Sequence, residues 1–443
     1  MRFVGYNSSM IQRRDEIPTP KLISALRNFN LLPAIVFLPT RKSCDEAASA
    51  VAADKSQRAD PERQLRRREI FEQMVAQYPE IEDHKHAGLI VRAGVAAHHA
   101  GHIPAWKLLI ERMMSAGLLN ALFATSTVAA GVDFPARSVV ITNADTRGNE
   151  GWRPLTASEL QQMTGRAGRR GRDNVGFAIL APGQFQNPKK IAELLKAPPD
   201  ALESRFRATY TSLLNLLDAF GNFELVRDIA ERSFAFSSRH RQRADNRQAD
   251  GAEMLSDRIW DPFERRARVL DHFGYIDFAA EKVTAQGKWL ADVRIDRPLL
   301  VGEALRQGIF NELIFSEAAG LMASVASDVD RSYGQMHSSR RMVDILSNFE
   351  EIVIAVSNVE WKNGVEPVEE INYSAAAAAE RWAAGMSWDE LVDRTRAEEG
   401  DLVRLLLRTG EALRQVANLR ATNPAAASIA STASDAILRE PVK

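Results

Sequence analysis

One cysteine, Cys44, is all the thiol chemistry in 443 residues, so an internal disulfide is excluded and a reducing compartment is expected. No apolar run approaches the ~20 residues that a membrane-spanning helix needs. The start, Met1-Arg-Phe-Val-Gly-Tyr-Asn, lacks the apolar core and cleavage site of a secretory signal, so a cytoplasmic protein with no membrane partner is expected. Charge of one sign is not in excess: 57 Lys and Arg stand against 58 Asp and Glu, a net charge of -1. A global field for polyanions is therefore absent, and any electrostatic footprint must be local. Three local clusters exist, Arg63 to Arg68, Arg147 to Arg172 and Arg239 to Arg247, and the first is read as a solvated helix face. With 45% hydrophobic and 26% charged residues the composition is that of a globular protein of two to four domains.

Against this plain background two runs stand out, Phe123-Ala-Thr-Ser-Thr-Val-Ala-Ala-Gly-Val-Asp-Phe-Pro135 and Gln161-Gln-Met-Thr-Gly-Arg-Ala-Gly-Arg-Arg-Gly171. In a helix, Gln162, Arg166 and Arg169 at i, i+4 and i+7 share one face and aim two fixed positive charges at one point. Gly165, Gly168 and Gly171 leave the backbone open to a polyanion. Paired guanidiniums of this kind neutralise charge developing on a transferred phosphoryl group. The alternative is a basic surface loop that happens to be rich in glycine.

The ordered pair of runs resembles motifs V and VI of superfamily 2 helicases. The form Gln-Met-x-Gly-Arg-Ala-Gly-Arg-Arg-Gly is similar to the superkiller-like DExH RNA helicases, which include exosome-associated and HelY-type proteins. The resemblance implies that Gln162, Arg166 and Arg169 act on ATP, and that Gly131 and Asp133 face the nucleotide. It also implies that Thr127 touches the nucleic-acid backbone. Many relatives carry Asn at the place of Asp133, whose carboxylate would instead accept a ribose hydroxyl.

Taken in order, residues 1–17 form a lead-in without a clear period. Pro18 and Pro20 open a helix through Leu22, Ile23, Leu26 and Phe29, and Ala34 to Leu38 reads as a buried parallel strand, followed by a helix from near Ser43. The Ile-Val-Phe-Leu-Pro-Thr-Arg-Lys run is similar to helicase motif IV. Asp60-Pro61 marks a break between two helices. Gly94 to Pro104 reads as a strand ending in histidines, then a helix from Pro104 to Ala116 with proline in its first turn. Further strands fall at Ala121 to Thr125, Val139 to Thr142 and Val175 to Leu180, and Thr156-Ala-Ser-Glu159 is a capping box. Strand and helix alternation over 18–190 gives one doubly wound RecA-like lobe. Five of the eight histidines, His84, His86, His98, His99 and His102, lie in this half. No metal is expected among them, since no cysteine pair accompanies them and closed sites use four ligands at defined spacing.

Beyond the lobe the pattern is helical. Residues 191–284 are expected to form a winged-helix domain with a linker: a helix from Ala201 to Leu217, a polar run from Ser237 to Gly251, a helix from Trp260 to Phe273 and a small hairpin. Residues 285–443 read as a helical bundle and resemble the C-terminal helical (DSHCT-like) domain of the same helicases. On the helix read from Asp401 to Leu419, Arg404, Arg408 and Glu411 form a polar stripe, which is either a solvated face or, by the resemblance, part of the nucleic-acid channel.

A self-sufficient ATPase of this class also needs Gly-x-x-x-x-Gly-Lys-Ser/Thr and an acidic Mg²⁺ motif. Neither is found: Gly287-Lys288 is followed by Trp289, and Asp45-Glu46 by Ala-Ala. The expected fold is therefore an α/β RecA-like second lobe followed by a mostly α winged helix and helical bundle. The expected role is the C-terminal half of a helicase that translocates 3′ to 5′ on single-stranded RNA or DNA. ATP and its Mg²⁺ are held by a first lobe absent from the sequence, and this chain alone is expected to be inactive. The competing reading is a single-strand-binding scaffold without catalysis.

Overall fold

The structure, a computed structural model, describes residues 16–55, 60–126, 134, 136–148, 151–169, 171, 173–183, 185–200, 208–232, 251–328, 331–334, 336–367 and 370–443. Two compact units divide between Ala201 and Leu202.

The first unit is built on five parallel strands: β1 (Ala34–Phe37), β2 (Val95–His98), β3 (Ala121–Ala124), β4 (Ser138–Ile141) and β7 (Phe177–Leu180). Their order is β2-β3-β1-β4-β7, and all four pairings are parallel. Every residue of β1 to β4 is buried. Strands covered on both faces lose the polar alternation of a half-exposed strand, which is why they read as short continuous apolar runs. Alternate residues Ala34, Val36, Val95, Ala97, Ala121, Phe123 and Val140 point to one side. There they meet Leu22, Ile23 and Leu26 of α1 (Thr19–Asn28) and Cys44, Ala48 and Val51 of α2 (Arg41–Ala53). The helix after β1 starts where a cap exists: the Thr40 side chain accepts from the Ser43 backbone N–H, and Ser43 returns the bond. Asp60 caps α3 (Pro61–Gln77) by accepting from the Arg63 backbone N–H at 3.0 Å, at the break expected between two helices.

Arg63 to Arg68 is not simply a solvated helix face. Arg67 is only 2% exposed, and its guanidinium donates to the carbonyls of Val91, Arg92 and Leu118 at 2.7, 3.1 and 3.2 Å. Arg63 donates to Gly117 O and Asn120 Oδ1. These carbonyls lie at the end of α4 (Ala87–Ala93), just before β2, and in the turn after α5 (Pro104–Ser115), where helix ends leave acceptors unsatisfied. Gly94 has φ +64°, and a Cβ there would lie 2.8 Å from Arg67 Nη1, so glycine is required both by the backbone and by the arginine. The structure also has an unforeseen hairpin, β5 (Asp145–Gly148) with β6 (Gly151–Pro154), inside the second arginine-rich stretch.

In the second unit, a helix at Tyr210–Phe220 starts at its Thr209 cap; the earlier part expected from Ala201 falls on 201–207, outside the described residues. So do most of the polar run from Ser237 and nearly all of the lead-in. The next long helix is Gly251–His272, which starts before Trp260 and carries Pro262 inside it, and a two-residue-per-strand hairpin follows at Ile276–Asp277 and Lys282–Val283. Helices then run to Ile437. The stripe-bearing helix spans Glu399–Ala417. Trp382 is 1% exposed, donates its indole N–H to Ile437 O at 2.9 Å, and carries the Arg439 guanidinium 3.5 Å from its ring centroid. Among the described residues no helix is long and apolar enough to cross a membrane.

Replacing Arg67 with Leu should lower stability by at least about 2 kcal/mol, since several buried carbonyls lose a charged donor at once. The check is the urea midpoint at unchanged slope; an unmoved midpoint would mean that these bonds add nothing.

Candidate functional site

The four parallel pairings share one register, Val95, Ala121, Ala34, Ser138 and Phe177 lying in a single row. All five carboxyl ends therefore lie along one edge, the edge at which open α/β sheets bind ligands. From that edge emerge Pro39-Thr40, His99 to His102, Thr125-Ser126 and Thr142-Asn143. The first sequence run leaves the carboxyl end of β3 and returns to the amino end of β4. Thr127, Gly131 and Asp133 all lie in its middle, outside the described residues.

The second run docks where the first one ends. Gly168 N–H donates to Ala136 O at 2.8 Å, and Ala136 and Ala167 form a parallel bridge. This contact overturns the expectation of one helical face. α6 (Ala157–Thr164), started by the Thr156–Glu159 capping box, stops at Thr164, so only Gln162 of the three is helical. Arg166 sits in the turn beyond the Gly165 cap, and Gly168 takes φ +95°. The physical cause is the glycine spacing, which weakens the helix, combined with an open strand entry that offers hydrogen bonds in exchange. Gly168 serves chain packing: a Cβ on it would lie 3.3 Å from the Gly176 backbone, and one on Gly176, beyond the run, would lie 2.3 Å from Ala167 O, whereas a Cβ on Gly171 would meet nothing within 4 Å.

Gln162 is exposed, and Arg166 and Arg169 are half-buried. Arg169 is held by Asp173: Nε to Oδ2 at 2.7 Å and Nη2 to Oδ1 at 2.9 Å, with its backbone N–H on the same carboxylate at 3.0 Å. Such a two-pronged pair fixes the plane of the guanidinium. Hydrogen bonds from Arg169 pull the Asp173 carboxyl down to about 2, and the carboxylate in turn raises the guanidinium. Asp173 was missed in the sequence, although its place four residues after Arg169 is an ordinary pairing signal.

In the second unit, Arg408 donates to Asp328 at 3.0 Å and to Asp296, while Arg404 reaches Asp328 at 3.5 Å. Arg408 and Glu411 line a cavity of about 180 Å³ together with Arg294, Arg297 and Gln415. Arg404 is not among its lining residues. Arg294 and Arg297 come from before the helix Pro298–Arg306 and carry no sequence period that ties them to the stripe. Burial pulls the Arg297 guanidinium down, with Asp296 opposing that shift.

The five histidines of the first unit are all buried, with His99 only 1% and His102 only 2% exposed. Burial pulls His84 down to about 2, His98 to about 3 and His102 to about 4, so these imidazoles are neutral at ordinary pH. Burial would push the Asp45 carboxyl up, but His102, His99 and Lys85 around it hold it well below the usual carboxylate range.

Comparison with known proteins places two domain families on the chain, the helicase conserved C-terminal domain over residues 70–171 and the DSHCT (NUC185) domain over residues 280–443. The chain is similar to the DExH-box ATP-dependent RNA helicase DExH15, chloroplastic, of Arabidopsis thaliana, 35% identical over 46% of this chain and 17% of that protein. It is similar to superkiller complex protein 2 of Mus musculus, 35% identical over 50% of this chain and 18% of that protein. It is also similar to the probable helicase HelY of Mycobacterium tuberculosis, 34% identical over 49% of this chain and 24% of that protein. The chain thus spans about a fifth of the length of these relatives.

The Asp173 carboxyl should titrate near 2 in a ¹³C NMR pH series, below its ordinary 3.8. Its folded value is depressed, so the pair's contribution to stability is full above 3.8 and is lost as pH falls through about 2. Arg169→Ala should return the midpoint toward 3.8, whereas a midpoint near 3.8 in the unaltered chain would discard the pair.

Proposed function

Because this chain carries the C-terminal region of a superkiller-like superfamily 2 helicase, a helicase C-terminal domain and a DSHCT domain in that order, we propose that it is the second half of an ATP-dependent motor on single-stranded nucleic acid. The observation that carries the reading is that the helicase-domain match ends on Gly171, the last residue of the arginine run, where Arg169 is oriented by Asp173. Gln162, Arg166 and Arg169 act on the nucleotide, with Arg166 and Arg169 supplying positive charge to the transferred phosphoryl group. Asp173 is a positioning residue: it holds the Arg169 plane before a nucleotide arrives and reduces the reorganisation that closure requires. Gly131 and Asp133 face the nucleotide, and Thr127 contacts the nucleic-acid backbone.

These side chains fit one wall of a nucleotide site, with guanidiniums and a carboxamide but no phosphate-cradling loop. A first RecA-like lobe supplies that loop and the Mg²⁺ ligands. The wall is useful only when the two lobes close on one nucleotide, so hydrolysis belongs to the pair. Arg404, Arg408 and Glu411 belong to the strand channel. Asp296 and Asp328 hold Arg404 and Arg408 in place until phosphates compete for them. Contacts to phosphates carry no base readout, so the stripe by itself does not choose between RNA and DNA.

The test is reconstitution. Mixed with a first lobe bearing the phosphate loop and an Asp-Glu-x-His motif, the chain should restore RNA-stimulated ATP hydrolysis. Arg169→Ala should lower it by about a thousandfold or more and leave single-strand binding unchanged. Retained hydrolysis in that variant would remove the finger assignment. Strand binding with no hydrolysis in any mixture would leave the scaffold reading in its place.

A further inference from the structure

The buried polar groups that the proposed motor does not use converge on one carboxylate oxygen. His99 Nε2 lies 3.0 Å, His102 Nε2 3.5 Å and His86 Nδ1 3.7 Å from Asp45 Oδ1. Lys85 takes the other carboxylate oxygen, Oδ2, at 2.6 Å. The three imidazoles do not play the same part. His99 Nδ1 accepts the Gly101 backbone N–H at 3.2 Å, so its proton is on Nε2 and is donated to Asp45. Beyond these long approaches to Asp45 Oδ1, at 3.5 and 3.7 Å, His86 Nδ1 and both ring nitrogens of His102 are buried without a hydrogen-bond partner. A neutral imidazole always presents one lone pair, and natural cores do not leave such groups orphaned without a reason.

We propose that Asp45, His86 and His102 bind a zinc-class divalent ion through Asp45 Oδ1, His86 Nδ1 and His102 Nε2. Their donor atoms all lie within 4.8 Å of one another. A tetrahedral ion with bonds near 2.0–2.1 Å sets donors about 3.3 Å apart. The two nitrogens stand 3.5 and 3.7 Å from the Asp45 oxygen, so those two edges need to close by a few tenths of an ångström, and the edge between the imidazoles, within 4.8 Å, by up to about 1.5 Å. Two imidazoles and a carboxylate suit zinc or its neighbours and not magnesium or calcium, which take oxygen. His99 and Lys85 hold the carboxylate from outside, as outer partners of metal ligands do. Three protein donors leave a fourth position for water. The ion would tie the first turn of α2 to the approach to α4 and the loop after β2, which makes it a structural pin at the carboxyl edge of the sheet.

In the sequence, the lack of a cysteine pair and of four ligands at defined spacing argues against a metal. The acid that completes the set comes from another element and is brought in only by the fold.

The chain, produced without a polyhistidine tag and stripped with chelator, is titrated with Co²⁺ and then Zn²⁺. One Co²⁺ should bind per chain with the visible absorption of a tetrahedral site, Zn²⁺ should displace it, and Zn²⁺ should raise the melting temperature. His86→Gln and His102→Gln should each weaken Co²⁺ binding about tenfold or more, and His337→Gln, in the second unit, should not. The wild-type titration does not depend on the variants folding, and circular dichroism of each metal-free variant separates lost ligation from lost structure. Absence of saturable binding to the wild type would overturn the site. So would equal binding by the folded His86→Gln and His102→Gln variants, which would mean surface adsorption only.

Discussion

The first unit depends on the common register of its parallel strands. A parallel ladder buried on both faces must satisfy every backbone group from its neighbours, and each strand must be reached by a crossover from the far end of the sheet. With β2, β3, β1, β4 and β7 aligned row by row, the loops after the strands fall along one edge. The return segments lie at the opposite end. The first run spans the two, from the end of β3 to the entry of β4, and the arginine run attaches at that entry through Gly168 and Ala136. The second run is therefore fixed to the chain immediately after the first.

Polar groups are buried in this unit at several points, and each is handled differently. Arg67 remains charged because three main-chain carbonyls surround it, so the cost of desolvation is offset by charge-assisted bonds. Asp45 remains charged because His99 and Lys85 donate to it. His84, His98 and His102 give up their charge instead, which is the cheaper outcome for a group whose pKa lies near neutrality. Arg169 and Arg408, by contrast, stay near the surface in contact with carboxylates. The Arg408 pairs, whose carboxylates are exposed, are worth little to stability and exchange readily for other anions, which suits a group that must meet a phosphate, whereas Asp173 beside Arg169 is nearly buried and its pair contributes to stability.

Much of the architecture was legible in the residues. Ala34 to Leu38, Ala121 to Thr125 and Val139 to Thr142 differ from the observed strands by a residue or so at their ends, because buried parallel strands are apolar at every position. The Thr156 capping box and the Asp60-Pro61 helix start were legible because caps are local chemistry. The helical face of Gln162, Arg166 and Arg169 was not: local spacing allowed it, and the docking of Ala167 against Ala136, distant in sequence, decided otherwise. The hairpin Asp145–Gly148 with Gly151–Pro154 carries no signal in the sequence because all of Gly151–Pro154 lies at or near the surface, so no apolar run or period marks it.

By itself the sequence determined the order of strands and helices, the two arginine-bearing runs and the family they indicate, since these rest on neighbours within a few residues. Tertiary structure alone decided that Arg67 is a buried tie, that Arg294 and Arg297 join Arg408 around one cavity, and that Asp45 meets His86 and His102. Each of those depends on distances between side chains or on burial, and burial is a property of the packed chain that no residue carries on its own.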